Sequence, residues 1–461
     1  MATHGDAVRF HHPLRHGGLP PGPRLPLPVQ SLLFAYRPVD FLRRCQRRYG
    51  DLFAINIAPV GRVVYAATPT ALRTLTTADP EDILGGEPKR VLEPITGGES
   101  VLVLDGERHV RARKALTPPF QGEATARHAE LMTDATERAM RQWPRDRSFA
   151  LRPELRRLTL EILLSGPFGV DDPATLSRFG EKLPSVVDTN PLVLWYPPFH
   201  RDLGGFGPWS AFKRRREELS DMLLKLVDGP GDVPSALRRE RDDVADPMSR
   251  TELRDHLLTL ITTGHETSAT ALSWAILLLL RGRRVLDRLR DELASGDDTY
   301  LDAVVRETLR VRPPALDIAR QLAVDVEVDG WTLPAGTKVT ASPALIQLSS
   351  DVWPDPDAFR PERFIESSAK PYAWAPFGGG HRRCLGTGFA MLEMREVLRS
   401  VVTRAELRAA GNEVEAITIR NALLVPAKGA QVVLEHLLDG RRHGVPARAG
   451  SRLGCARVPE R

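Results

Sequence analysis

The sequence predicts a mainly α-helical fold with a small β portion. Apolar residues recur at helical spacing over most of the chain, only a few short stretches alternate as strands do, and no obvious linker divides the middle. Of 461 residues, 42% are hydrophobic and 27% charged, the make-up of a soluble globular protein with a sizeable core.

Residues 1–28 are rich in Gly, Pro and His and read as a loosely ordered arm. An irregular terminus explains His4, His11, His12 and His16 better than metal binding does. Residues 29–438 read as a single domain. Helices are expected at 38–49 and 66–77, with strand-like FAINI and RVVYAA between them. Further helices are expected at 106–117, 123–142, 151–167, 174–188, 208–227, 251–281, 284–294, 298–311 and 386–403. Residues 321–340, with a turn at Asp329-Gly330, and 417–426 are strand-like. Residues 439–461 form an Arg/Gly/Ala tail without hydrophobic period, read as disordered.

Composition also excludes. The 64 lysines and arginines face 59 acids, and Lys213–Arg216 runs straight into Glu217-Glu218, so the charges read as solvated faces and no nucleic-acid partner is expected. Cys45, Cys384 and Cys455 form no CxxC pair and no disulfide framework, which suits a reducing, cytoplasmic setting. The longest apolar run, residues 271–280, falls short of the ~20 that a spanning helix needs, so no integral membrane anchor is expected.

Four stretches carry chemistry. In FGGGHRRCLG (377–386), Cys384 sits behind glycines and beside Arg382 and Arg383, at the start of a helical pattern. Thiolate is the softest anionic ligand a protein has, and nearby positive charge with a helix N-terminus favours that form. A phosphate loop would need a GxxxxGK[ST] order, which is lacking; a lone nucleophile would have only His381 as a local base. In TLITTGHETSATALSWAILLLL (259–280), a Leu-rich buried helix carries Glu266 among poor helix formers. Such a carboxylate needs partners or water, and a plain salt bridge would serve. Glu307 and Arg310 lie three apart on one helix face and can pair. His109 and Arg113 share a face of the basic stretch GERHVRARKALTPPF (106–120).

Phe377, Gly380, Arg382, Cys384 and Gly386 fit F-x-x-G-x-R-x-C-x-G, and in this the chain resembles the cytochrome P-450 family. The resemblance implies a triangular, mainly α fold that holds haem b between its I helix (here 259–280) and the L helix after the cysteine. It implies Cys384 as the axial thiolate on the haem iron, in a loop that also brings Phe377, Gly378 and Gly386 to the cofactor. His109, Arg113, Arg320 and Arg382 match positions that hold the haem propionates. Gly264-x-Glu266-Thr267 resembles the oxygen-activating motif, with Thr267 hydrogen-bonding the bound oxygen and Glu266 relaying protons. Thr263 stands where the family has Ala or Gly, which leaves the shape of that space open. Arg363, in Pro361-Glu-Arg-Phe364, would join Glu307 and Arg310 in a structural cluster. Gln347-Leu348 replaces a frequent His-Arg, so a local difference is expected there.

The implied activity is a haem-dependent monooxygenase that inserts one atom of dioxygen into a hydrophobic small molecule. Electrons would come from an external ferredoxin and ferredoxin reductase, docked near Arg111, Lys114, His381 and Arg383. Residues 83–104, 190–200, 314–318 and 421–425, with Leu260 and Thr263, would wall the substrate. Trp195, Tyr196, Phe199, Phe206 and Trp209 would pack a lid or touch a membrane surface. A peroxygenase or isomerase, or a non-catalytic haem-binding protein, are the alternatives; the Glu266–Thr267 pair favours dioxygen.

Overall fold

Helical and strand-like stretches separate into a helical body and a smaller β side in the computed structural model, which describes residues 18–195, 199–200, 205–242 and 247–438. Residues 1–17 and 439–461, most of the two expected arms, lie outside the described residues. The rest of the first arm runs beside a strand: the Pro21 carbonyl accepts from the Ala54 amide at 3.0 Å.

The strands, in chain order, are β1 (Leu52–Ile57), β2 (Gly61–Ala66), β3 (Ile83–Leu84), β4 (Ser148–Ala150), β5 (Ile318–Leu322), β6 (Val326–Val328), β7 (Trp331–Leu333), β8 (Lys338–Ala341), β9 (Ala405–Ala409), β10 (Ile417–Arg420), β11 (Leu423–Pro426) and β12 (Gln431–Leu437). A five-stranded sheet runs in the order β1-β2-β8-β5-β3. In it β1 and β2 form an antiparallel hairpin with Leu52 opposite Ala66, and β2 runs parallel to β8. The stretch expected as strand-like over 321–340 is broken into pieces. Asp329 (φ 47°) and Gly330 (φ 77°) turn tightly, so β6 and β7 pair with each other instead of joining the sheet.

Two expected helices differ in extent. The one expected from residue 66 begins at Pro69, because Ala66 still belongs to β2 and the Thr68 hydroxyl caps the Ala71 amide at 3.0 Å. The one expected at 123–142 divides into Gly122–Ala126 and Ala129–Gln142, with His128 between them.

The long helix Arg250–Arg281 crosses the helical core. Ser249 and Glu252 close its start as a reciprocal capping box. It packs against the helices Leu151–Ser165, Thr299–Val311 and Thr387–Arg404, and its apolar residues are buried nearly all round. A second apolar cluster, around Phe41, Leu42, Phe53 and Tyr65, fills the β side. No helix among the described residues is long and apolar enough to cross a membrane.

The segment leading to Cys384 is irregular, and one carboxylate organises it. Glu307 is fully buried and accepts from Arg310 Nε at 2.7 Å, Arg363 Nε at 3.0 Å and the Arg360 amide at 2.8 Å. Arg310 gives a second N–H to Glu307 at 2.9 Å and the rest to the carbonyls of Gln347, Pro356 and Ala358, and Arg363 reaches those of Pro354 and Asp355. Trp353 lies beneath both guanidinium groups. The local difference expected at Gln347 takes a definite form. Its amide donates to the Leu309 and Arg310 carbonyls at 3.0 Å each, and its oxygen accepts from the Ala375 amide at 2.9 Å. Removing one charge leaves the others buried and unpaired, so Arg363→Leu should destabilise the fold by about 3–5 kcal/mol. Chemical denaturation followed by circular dichroism measures this, and a loss like that of a surface ion pair, below about 1 kcal/mol, would contradict the assignment.

Candidate active site

A cavity of about 350 Å³ lies where the long helix faces the loop before the helix Thr387–Arg404. Cys384 opens into it. The loop is closed by the Cys384 amide, which donates to the Phe377 carbonyl at 2.9 Å. Phe377, Gly378 and Gly386 line the same cavity. Gly380, with φ 61°, must be glycine, since a Cβ there would lie 1.7 Å from the Thr76 carbonyl oxygen. The expectation that the loop alone keeps Cys384 ionised is corrected. Burial pushes the thiol up, and the Gly386 amide, Arg113, Arg383 and Thr387 only partly pull it back. A metal held at the sulfur would supply the remaining pull, since coordination removes a thiol's proton.

The cationic residues expected from the sequence do meet here. His109, Arg113, Arg320 and Arg382 all line the cavity, and the structure adds Lys89, hidden in the sequence by its surface-like neighbours Glu87 and Arg90. Arg382 Nη2 pairs with Asp105 at 2.5 Å, and Gly85 makes room for its side chain. Arg320 donates to the Leu75 carbonyl at 3.1 Å. These groups repel one another. Burial, then Arg320 and Arg382, bring Lys89 down to about 7. Burial, then Arg382 and Arg113, bring His109 down to about 3, and burial followed by Arg382 brings Arg320 down to about 10. Asp105 is the carboxylate that counters this excess. A ligand with two carboxylates would relieve it, and a flat one would reach the sulfur over the glycines. The donor set therefore fits haem, a flat ligand with two carboxylates.

On the opposite wall stand Thr263, Gly264, Thr267 and Ser268. Thr267 Oγ1 donates to the Thr263 carbonyl at 3.0 Å and Thr263 Oγ1 to that of Thr259 at 2.7 Å. Gly264 lets the helix Leu151–Ser165 approach, since a Cβ there would meet Leu163 at 3.0 Å. Glu266 is not brought to the cavity. It faces the helix Leu151–Ser165, paired with Arg152 at 2.6 Å and with Arg156, which also holds Asp188 at 3.1 Å.

Other expected features are scattered. Leu260 and residues 314, 315, 317 and 318 line the cavity, whereas residues 421–425 do not. Leu423, Leu424 and Val425 are buried in β11. Phe199 and Phe206 are exposed, Trp209 stacks on His200 at 4.0 Å, and Tyr196 lies outside the described residues. Lys114 and Arg383 are exposed, while Arg111 and His381 are half-buried. Sequence reasoning missed Glu393, in the helix after the cysteine. It is fully buried, and burial pushes it up to about 8 against the pull of a hydrogen bond from Ser268. Its spacing on an apolar helix face was the available signal.

The chain is similar to known proteins along most of its length. A family model described as "Cytochrome P450" matches residues 20–434. A Mycobacterium tuberculosis protein named "Putative cytochrome P450 135B1" is 37% identical over 433 residues, covering 90% of this chain and 91% of that one. "Putative cytochrome P450 137" of the same organism is 36% identical over 445 residues, covering 92% and 93%. The solved structure "Retinoic acid bound cyanobacterial CYP120A1" superposes with a TM-score of 0.78 at 27% identity, covering 91% of this chain and 99% of that one.

Glu393 makes stability depend on pH. Its carboxyl is raised from 4.5 to about 8, so across that window the native state holds a proton that the unfolded state has lost. Stability therefore falls as pH rises through it. Glu393→Gln, which keeps the shape without the acid, should melt a few degrees above the parent near pH 9 and gain little near pH 5. A melting difference that is the same at both would contradict the buried neutral acid.

Proposed function

This chain belongs to the cytochrome P450 family, whose members are haem b monooxygenases, and on that premise we propose which of its residues do the work and on what. The substrate is a hydrophobic small molecule, and the electrons come from a separate ferredoxin and its reductase. The observation that carries this reading is the cavity itself, with Cys384 on one wall and Thr267 on the other. Substrate, dioxygen, two electrons and two protons give the oxygenated product and water. Haem b, when bound, supplies the iron at which oxygen is reduced, and a thiolate ligand favours O–O cleavage.

Cys384 holds the iron, and His109, Arg113, Arg320 and Arg382 hold the propionates, with Lys89 beside them; arginine suits this by its forked donors. Phe377, Gly378 and Gly386 shape the floor. Thr267 holds a proton at its hydroxyl above that floor, with the Thr263 carbonyl fixing its direction. A relay through Glu266 requires its carboxylate to leave Arg152 and Arg156, so those two arginines set how readily protons pass. Exposed Lys114 and Arg383 suit an acidic ferredoxin. The free Cys45 and Cys384 suit a cytoplasmic setting.

Turnover with a ferredoxin and its reductase under isotopically labelled dioxygen tests the reading on any hydrophobic compound that perturbs the haem spectrum. One labelled oxygen atom should enter the product. Product formed only with added hydrogen peroxide would overturn the assignment to dioxygen. Thr267→Ala should retain haem yet lower product per electron by roughly tenfold or more, the missing electrons appearing as peroxide. An unchanged ratio would reject the role given to Thr267.

A further inference from the structure

Asp317 is the one acid among the described residues that line the cavity. In the loop entering β5, it lines the cavity beside Ala315, Ile318, Leu260, Val101 and Leu102. Its side chain is exposed at the cavity surface, with enough protein packed around it to make charging it costly. Oδ2 accepts a hydrogen bond from the Tyr65 hydroxyl at 3.0 Å, and Oδ1 has no partner among the described residues. The donor is rigid: Tyr65 is buried, its ring stacked on Phe53 at 5.8 Å and edge-on to Phe34 at 6.4 Å. One oxygen is thus fixed and the other left facing the cavity.

The acid does not balance the cations of the site. Arg320, three residues on, responds to Arg382 and Asp105, not to Asp317. Burial pushes Asp317 up to about 7, Tyr65 pulls it back, and no cation acts on it. An ionised carboxylate enclosed without counter-charge is costly, and a merely structural acceptor for Tyr65 would not need charge.

We propose that Asp317 is a specificity-determining residue, whose free oxygen takes a hydrogen-bond donor on the substrate, an ammonium or a hydroxyl, and whose charge turns carboxylates away. This rests on the cavity being the substrate site of the haem enzyme, as proposed above. The substrate class is then an amphipathic molecule with an apolar body and a donor head. An ammonium is the better match, because it also supplies the missing counter-charge.

Calorimetric titration of the ferric holoenzyme with N,N-dimethyldecylamine, decanol and decanoate tests this, the haem absorption band confirming that each probe enters the haem cavity. The amine and the alcohol should bind at least about tenfold more tightly than the carboxylate. Asp317→Asn should retain haem and remove the amine's advantage. An alcohol advantage that survives in this variant identifies a hydroxyl as an accepted donor, since the asparagine oxygen still accepts. Tyr65→Phe leaves the acid in place and should keep the preference, which guards against a loss caused by misfolding at this corner. Decanoate binding as tightly as the others, no binding of amine or alcohol, or an Asp317→Asn variant that changes nothing or loses its haem would each overturn the proposal. The two readings fail separately. A carbon monoxide complex without a thiolate band rejects the site, whereas a normal band with no head-group preference rejects only the role of Asp317.

Discussion

Glu307 is the constraint on which the rest depends. A carboxylate with no access to water is tolerable only when its lone pairs are filled, and here two guanidinium groups and an amide fill them. Arg310 and Arg363 then have N–H groups left over, which bind carbonyls of the irregular segment 347–358. Gln347 extends the same lattice to the Ala375 amide, two residues before Phe377, whose carbonyl in turn receives the Cys384 amide. Hydrogen bonds and a two-residue stretch of backbone thus connect one buried acid to the main chain of Cys384. The loop gets its geometry from this lattice, because glycines and arginines alone would leave it mobile.

The cavity is electrically divided. Lys89, Arg113, Arg320 and Arg382 crowd positive charge at one side, and with burial this field holds His109 neutral and lowers Lys89, Arg320 and Arg382. Asp317 stands apart from them, without a counter-charge. Glu266 and Glu393 are not among the cavity-lining residues, the first neutralised by two arginines and the second pushed toward its neutral form by burial. Such an arrangement stores the cost of charge burial where a ligand can relieve it, and it defines which ligand ends belong at which side.

Much of this was legible in the sequence. The helical body, the β side and the Glu307–Arg310 pair follow from local spacing, because helix faces are properties of short segments, whereas the role of the cysteine loop and the place of Arg363 in the cluster came from the family resemblance. The propionate roles expected of His109, Arg113, Arg320 and Arg382 rested on the same resemblance, and the structure shows that the four line one cavity. What escaped depends on distant elements. Glu266 looked like a cavity residue, but one position along a helix is a rotation of about 100°, and the arginines that claim it come from residues 152 and 156. Lys89 and Glu393 carry no motif, and Asp317 acquires meaning only when Tyr65, from the far end of the chain, meets it. Strand limits over 318–341 were misjudged because turn chemistry at Asp329-Gly330 was seen while the pairing partners were not.

The central claim is that Cys384 is the ligand of the haem iron. The absorption spectrum of the reduced carbon monoxide complex, recorded for the parent protein and for Cys384→Ser, tests it most directly. The account predicts the far-red-shifted Soret band of a thiolate-ligated haem in the parent and its loss in the variant. A histidine-type band in the parent, or a thiolate band that survives the substitution, would contradict it.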